Sequence, residues 1–389
     1  MSRIQLSLFD EPAAPAVATT EELNALLAQG APVAIGVSGG KDSTAVAFAT
    51  LAHLNSIGHT GPRVLVHADL GVTEWADSLP ACRRLAQATG CELVVVRRPK
   101  GDMMDRWEQR HADNVRRWEA LECVKLILPW STPDMRFCTS ELKVDQITRE
   151  LSKRFPNQTI INVTGVRRDE SRDRRNAPTC STQPKLTSKT NNTTGRDWNP
   201  IADWNVQQVW DIHEANGFDR HEAYTAFGSS RVSCVFCILA TVADHLAGAS
   251  DPRNVTLALR MIDLETRSTF ALQGSRWLGD TLAHLLSQDE RDAHAQAKRN
   301  GELRALAETK IPAHLLFEKG WPKVMPTDAE AITLAAVRWQ VADVCGLQKT
   351  FTKPADLIER YRELIAEKAR KDVEKAEKEQ RKAARSARK

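Results

Sequence analysis

The sequence has 389 residues, of which 42% are hydrophobic and 27% charged, and its formal net charge is +4. These values exclude a disulfide-stapled miniprotein, a collagen-like fibre and a wholly disordered chain, and they are typical of two or three globular domains. The last nineteen residues hold eight basic and four acidic side chains, which leaves 46 of each sign in the rest of the chain. The excess charge therefore lies in a tail, and the composition alone does not indicate a basic nucleic-acid-binding body.

No apolar run approaches the roughly 20 residues that a membrane helix needs. The N-terminus also lacks the basic and then apolar pattern of a signal peptide. We therefore expect a cytoplasmic protein with no membrane partner. In that compartment the eight cysteines are more typical of core, metal-binding or catalytic thiols than of disulfides.

Short β-branched runs alternate with helical patterns through the first half of the chain. Val33–Val37 is an apolar run that leads through Ser38-Gly39-Gly40 into the Ala-rich helix Thr44–Leu54. Three further strands are predicted at Arg63–Ala68, Glu92–Val96 and Thr159–Thr164. The alternation predicts an α/β fold with a doubly wound, mostly parallel sheet, which binds ligands beyond the carboxyl ends of its strands.

Four parts are predicted along the chain. Residues 1–20 form a flexible leader, 21–245 the α/β domain, 246–355 a helical region and 356–389 a charged helical tail. A charged, Trp-containing stretch at 103–130 is predicted to be a helical insertion in the α/β domain.

The segment Ser38-Gly39-Gly40-Lys41-Asp42-Ser43 is predicted to bind phosphate. Glycines let backbone amides approach an anion, and the N-terminus of the following helix adds free N–H groups. A Walker A loop would place Gly at Ile35 and Ser or Thr at Asp42, so this is a different loop. It resembles the PP-loop of ATP pyrophosphatases, which cleave ATP between the α- and β-phosphates and adenylylate a substrate. The resemblance implies that Ser38, Gly39, Gly40, Lys41 and Ser43 hold pyrophosphate, and that Asp42 positions Mg²⁺.

Later motifs narrow the resemblance. They are His67–Gly71 with Glu74, Arg136–Thr139 with Leu142-Lys143, Gly165–Arg168 with Arg174, and a series from Pro200 to Arg231. In this order they resemble the phosphoadenosine phosphosulfate (PAPS) reductase family, which includes the sulfurtransferases of DNA phosphorothioation. The resemblance covers about Val33 to Leu239. It implies the Rossmann-like fold of the PP-loop adenine nucleotide alpha hydrolases, with Asp69 and Gly165 among the nucleotide-binding residues.

Three arginines follow the predicted strand Thr159–Thr164. Arg167, Arg168 and Arg174 stand where they could grip a phosphate or sulfate, and with Lys41 and Asp42 they form the predicted catalytic set. The alternative is a solvated charge run, because Asp169, Glu170 and Asp173 are their neighbours.

The cysteines suggest a metal site. Cys234 and Cys237 form a CxxC, whose spacing lets two thiolates share one metal, but no second CxxC accompanies it. The family resemblance adds Cys138 and implies a [4Fe-4S] cluster, with a fourth ligand from Cys123, Cys180 or outside the protein. Zinc, or reduced thiols without metal, are the alternatives.

Cys345 is a candidate for a nucleophilic cysteine. The family's reductases use a nucleophilic Cys in a Glu-Cys-Gly-Leu-His segment, whereas this chain has Val344-Cys345-Gly346-Leu347-Gln348 without either polar flank.

The N-terminal leader contains Gln5-Leu6-Ser7-Leu8-Phe9. This segment resembles the peptide by which bacterial proteins dock on the DNA polymerase sliding clamp.

Together these resemblances imply an enzyme that uses ATP and Mg²⁺, releases AMP and pyrophosphate, and activates a nucleic-acid acceptor for sulfur. A cluster or a persulfide would deliver that sulfur, and a sulfur-donor protein is a further partner that this chemistry admits. One alternative is a PAPS or adenylyl-sulfate reductase. The other is a non-catalytic, clamp-tethered nucleotide-binding protein of DNA defence or replication.

Overall fold

The computed structural model describes residues 15–386, and side chains through residue 381. The Gln5–Phe9 peptide lies outside the described residues. Within them the chain forms two compact units, an α/β unit of residues 15–104 and 131–258 and a helical unit of residues 105–130 and 259–386. Across the described range, no helix combines the length and apolar character needed to span a bilayer.

One sheet in the described part of the chain has six strands. They are β1 (Val33–Gly36), β2 (Arg63–Asp69), β3 (Glu92–Arg97), β4 (Thr159–Val163), β5 (Cys180–Thr182) and β6 (Thr194–Trp198). Their order is β3-β2-β1-β4-β6-β5, and every neighbouring pair is parallel except β5 and β6. The predicted doubly wound, mostly parallel α/β fold with a helical C-terminal region is confirmed.

The helices follow in chain order. They are α1 (Glu21–Ala28), α2 (Lys41–Ser56), α3 (Ser78–Thr89), α4 (Met103–Glu119), α5 (Phe137–Thr139), α6 (Asp145–Arg154), α7 (Val206–Ala215), α8 (Glu222–Thr225), α9 (Val242–Ala249), α10 (Val255–Ser268), α11 (Leu278–Thr281), α12 (Gln288–Glu308), α13 (Asp328–Cys345) and α14 (Pro354–Ser386). Ser140–Val144 adds a π-helical turn between α5 and α6. Side-chain caps begin several of them, because a polar oxygen satisfies an amide that the helix leaves free, as Thr20 does for α1 and Asn205 for α7.

The sheet is covered on both faces. Successive residues of a strand point to opposite sides, so Val33 and Ile35 pack with α2 and α7 while Ala34 packs with α6. β1 pairs with β2 on one side and with β4 on the other, so the strand order reverses there. The crevice beyond the carboxyl ends of β1 and β4 is therefore the expected ligand position.

The helical unit has its own apolar core, formed by α12, α13, the start of α14 and the segment that ends α4. Two of the predicted domain boundaries differ from this arrangement. Residues 105–130 belong to the helical unit rather than being an insertion in the α/β domain, and Leu357 and Tyr361 of α14 are core residues rather than part of a solvated tail. The cause is burial, because Trp118 and Leu121 pack with Leu357 and Tyr361 in one cluster.

Candidate active site

The loop from Ser38 to Ser43 is a tight turn between β1 and α2. The Ser43 hydroxyl donates to the Gly40 carbonyl at 2.9 Å and accepts from the Ser38 amide at 3.1 Å. Gly39 has φ +78°, and a Cβ there would lie 2.9 Å from the Ser78 carbonyl oxygen. The loop needs glycine at position 39 because of the positive φ and because of the close approach to the Ser78 oxygen. The tight turn leaves the start of α2 facing the crevice.

The loop after β4 contacts this turn directly. A Cβ on Gly165 would lie 2.7 Å from the backbone oxygen of Asp42, so only glycine allows the two loops to approach this closely. The prediction placed both glycine segments at one site, and the structure brings them into contact.

Two adjoining cavities open at this edge of the sheet. The sheet-edge cavity, of about 360 Å³, includes Val37, Val66 and Leu70 in its lining, and the arginine cavity, of about 710 Å³, includes Lys41, Arg136 and Tyr224. They share a wall, which consists of Ser38, Asp42, Ser43, Glu170, Arg174, Arg231 and Val232. A ligand with an apolar end and an anionic end therefore fits across the shared wall.

Asp42 lies on the shared wall between two cations. Its carboxylate is 2.6 Å from Arg167 Nε and 3.2 Å from Lys41 Nζ. Arg167 is only 3% exposed and also donates to the Trp204 carbonyl at 3.3 Å. The Arg167 guanidinium is therefore engaged by Asp42, so Arg167 is a positioning residue rather than one that is available to bind an anion.

The other two predicted arginines differ from each other. Arg168 donates to the Ala177 carbonyl at 3.0 Å and pairs with Asp203, and it does not line either cavity. Arg174 pairs with Glu170 and lines both cavities. Of the three arginines predicted to grip an anion, the structure places only Arg174 on the cavity walls.

Three of the predicted cysteines are neighbours. Burial is the main reason that the pKa of Cys234 rises to about 12; Lys143 opposes this rise, and Cys237, Glu74 and Cys138 add to it. Cys234 lines the sheet-edge cavity. Three thiols suit the soft metals iron and zinc, but across residues 15–381 no three His, Cys, Asp or Glu side chains are arranged to hold a metal ion. We therefore derive no reaction step through a metal or cluster.

Cys123, the predicted fourth ligand, is not part of this group. It lies in the apolar core of the helical unit, where burial raises the pKa of its thiol to about 11. The structure therefore places Cys123 in an apolar core and not on the wall of either cavity, which gives no support to its predicted role as a ligand.

The sequence comparison identifies the family of this site. The phosphoadenosine phosphosulfate reductase domain matches residues 32–240, which is more than half of the 389 residues. The chain belongs to the PAPS reductase family. The match spans both loops, the shared wall and the three neighbouring cysteines, as the motif resemblance predicted.

Two further comparisons were made. No curated protein sequence matches the chain. Among solved structures, the chain is similar to the U34-tRNA thiolase NcsA from Methanococcus maripaludis with its [4Fe-4S] cluster, with 13% sequence identity over 83% of this chain and 82% of that one. The TM-score is 0.28, and at that value the likeness carries no argument about this chain.

In this PAPS reductase domain, the residue near the end of β2 that lines the sheet-edge cavity is His67 and not Asp69. Asp69 accepts from the Gly71 amide at 2.8 Å and pairs with Arg97, so it shapes the turn instead. His67 lies 3.0 Å from the Val37 carbonyl through Nδ1 and 3.1 Å from Glu74 Oε2 through Nε2. Two acceptors require both ring nitrogens to donate. Burial alone would lower the pKa of His67, but hydrogen bonds with Cys82 and Glu74 outweigh burial and raise it to about 10.

Sequence reasoning assigned no role to Tyr224 or Arg231, although both belong to the family motifs. The Tyr224 hydroxyl accepts from the Lys41 amide at 3.1 Å, and its ring centroid lies 5.8 Å from Lys41 Nζ. Arg231 lines both cavities, and its buried Nε has no hydrogen-bond partner among the described residues. The available signal was their place in the motif series, which does not tell which side chains face a ligand.

Proposed function

We propose that this PAPS reductase family member is an ATP pyrophosphatase that activates a nucleic-acid acceptor for sulfur transfer. The observation that carries the proposal is the glycine loop at the β1–β4 switch point, opening onto two cavities with a shared wall. Both the apolar end and the polyphosphate end of ATP find a suitable surface there, and a cysteine pair follows the same wall along the chain.

ATP is proposed to lie across the shared wall. The base and ribose occupy the sheet-edge cavity beside Val37, Val66 and Leu70, and the phosphates meet the loop amides and the hydroxyls of Ser38 and Ser43. Lys41 and Arg231 supply positive charge, since both line the arginine cavity. Asp42, held by Arg167, is the carboxylate that we assign to positioning the Mg²⁺ that accompanies ATP.

The proposed reaction has two displacements. An oxygen of the acceptor attacks the α-phosphorus, the bond from that phosphorus to the bridging oxygen breaks, and pyrophosphate leaves with the electron pair. A sulfur nucleophile from a donor protein then attacks the activated carbon or phosphorus of the acceptor and expels AMP. Lys41, Arg174 and Arg231 stabilise the negative charge that develops on the phosphates.

The product test uses the full chain with Mg-ATP and single-stranded DNA or RNA. Pyrophosphate and AMP should appear together, and Lys41→Met should lower their rate of release at least tenfold because it removes a cation from the phosphate site. Lys153→Met is the matched control, since Lys153 is an exposed lysine of the same unit. Orthophosphate as the sole inorganic product would overturn the assignment. ATP binding with no turnover on any acceptor would favour the non-catalytic alternative.

We also propose that Cys138, Cys234 and Cys237, whose thiols are neighbours but are not arranged around a metal position in this structure, move together to hold a [4Fe-4S] cluster, with the fourth iron position open to a ligand from outside these three. When bound, such a cluster supplies a site that can carry sulfide. Anaerobically purified protein should then contain about four irons per chain, and Cys237→Ser should lower the iron content. Stoichiometric zinc, or a metal-free protein, would remove this part of the proposal.

The reductase alternative depends on a nucleophilic Cys345, and its surroundings disfavour that role. Burial raises the pKa of Cys345, although the contact with the Thr269 hydroxyl at 3.8 Å opposes the rise. A nucleophilic cysteine needs a lowered pKa, because the thiolate is the reactive form. We therefore favour sulfur transfer over thiol-dependent reduction.

A further inference from the structure

We infer that three exposed arginines, Arg136 on the wall of the arginine cavity and Arg172 and Arg175 on the turn beside it, bind the phosphate backbone of a single-stranded nucleic-acid acceptor. We call these residues the arginine rim. The inference rests on the proposed function, because it gives the acceptor of that reaction its binding surface.

The rim lies next to the proposed reaction centre. Ser171, Asp173 and Arg174 line the arginine cavity, and the same short 3₁₀ turn exposes Arg172 and Arg175 to solvent. Arg136 is exposed as well and is itself part of the cavity lining. Arg136 is therefore on the cavity wall itself, and Arg172 and Arg175 are exposed on the turn whose other residues line that cavity.

The rim arginines have no counter-charge of their own. Arg167, Arg168 and Arg174 are each paired with a carboxylate. By contrast, Arg136, Arg172 and Arg175 form no ion pair with any residue in the described range, where Asp173 is the one acid of this wall without a cationic partner. Unpaired, exposed arginines on and beside the wall of a cavity offer fork-shaped donors that suit successive phosphates.

A single strand suits this opening better than a duplex. An acceptor oxygen on a base must enter the cavity to meet the α-phosphorus, and a base stacked inside a duplex cannot do so without unpairing. Apolar surface accompanies the charge, since Met135 is 42% exposed beside Arg136, and Leu239, which is 38% exposed, lines the same cavity. Cationic and apolar surface together are typical of single-strand binding sites.

The test measures equilibrium binding of a fluorescent 20-nucleotide single strand to the full chain, without ATP, from 0.05 to 0.5 M salt. The variant Arg136→Gln/Arg172→Gln/Arg175→Gln should reduce the slope of log K against log salt by about 2, because each lost phosphate contact removes about 0.7. This corresponds to roughly 100-fold weaker binding at 0.1 M salt and to convergence with wild type near 1 M.

The control variant removes the same charge elsewhere. Arg83, Lys153 and Lys189 are exposed in the same unit without an ion pair in the described range, so the triple Gln variant there should keep the wild-type slope. Equal losses in both variants would show a non-specific charge effect and overturn the inference, as would a loss confined to duplex DNA.

The outcome is separate from that of the proposed function. Pyrophosphate release by wild type with nucleic acid, together with unimpaired binding by the rim variant, would refute the rim and leave the pyrophosphatase standing. The melting temperature of each variant confirms that it is folded.

Discussion

Two carboxylates, the partly buried Asp42 of the α/β unit and the fully buried Glu265 of the helical unit, differ in their partners. Asp42 is held by the side chains of Arg167 and Lys41 and still lines both cavities. Glu265 is fully buried, and it accepts from the amides of Leu272 at 2.7 Å, Leu278 at 2.9 Å and Gly279 at 3.0 Å. A carboxyl group is thus structural where backbone amides occupy it, and available for chemistry where side chains hold it at a cavity wall.

The largest expected effect is the loss of stability when Glu265, the structural carboxylate, is removed. Glu265→Ala removes one acceptor from three buried amides, so we expect the free energy of unfolding to fall by about 3–5 kcal/mol. Urea unfolding of the full chain measures it. Asp263→Ala is the control, because Asp263 is exposed and, among the described residues, forms an ion pair with Arg267 alone, at i,i+4, which is worth about 0.5 kcal/mol or less. Similar losses in the two variants would contradict the assignment.

The second prediction concerns the glycine loop. Gly39→Ala brings a Cβ to 2.9 Å from the Ser78 oxygen and should displace the loop, so the rate of pyrophosphate release should fall about 100-fold. Gly58 also has a positive φ, +66°, but nothing lies within 4 Å of its missing Cβ. Gly58→Ala should therefore cost about 1 kcal/mol of stability and leave the rate unchanged. If both variants lose activity equally, backbone strain alone is the cause.

The third prediction separates the two adjacent arginines. Arg167→Met removes the guanidinium that holds Asp42, so we expect about a tenfold lower rate and a higher Mg²⁺ concentration for half-maximal activity. Arg168→Met breaks a pair with the exposed Asp203, and its rate should stay within about twofold. Titrating Mg²⁺ at saturating ATP gives both values. A larger loss of rate in the Arg168 variant than in the Arg167 variant would support the predicted role of Arg168 as an anion-binding residue.

The smallest expected effect concerns the cysteines. Cys345→Ser should leave pyrophosphate release unchanged, and the thiol should react with iodoacetamide at pH 7.5 more slowly than an unstructured peptide thiol. The sign follows from burial, which raises the pKa of Cys345 and lowers the thiolate fraction at neutral pH, so the alkylation rate should keep rising above pH 9. Rapid alkylation at neutral pH would instead revive the reductase alternative.

The fold and the glycine loop could be predicted because their signals are local. A strand, a Gly-Gly turn and a helix within the 24 residues from Val33 to Ser56 specify one supersecondary unit, and alternation of such units specifies a parallel sheet. The inclusion of residues 105–130 in the helical unit could not be predicted, since Trp118 and Leu121 have no local preference for one apolar core over another.

The direction of side chains after a strand is equally non-local. Arg167 and Arg168 are adjacent and of one type, but Asp42 and Trp204 surround the first, whereas Ala177 and Asp203 surround the second. Cys123 shows the same difficulty, because sequence spacing does not reveal which core encloses a thiol.

The bond between Arg167 and Asp42 joins residues that are 125 positions apart in the chain. A similar distance along the chain separates β1 from β4, and because such non-local pairing is slow, we expect the two halves of the crevice to come together late in folding. A growing chain on the ribosome that has released the glycine loop but not β4 holds half of the crevice. If the proposed function holds, nucleotide affinity during synthesis would mark the moment at which the central strands of the sheet have paired.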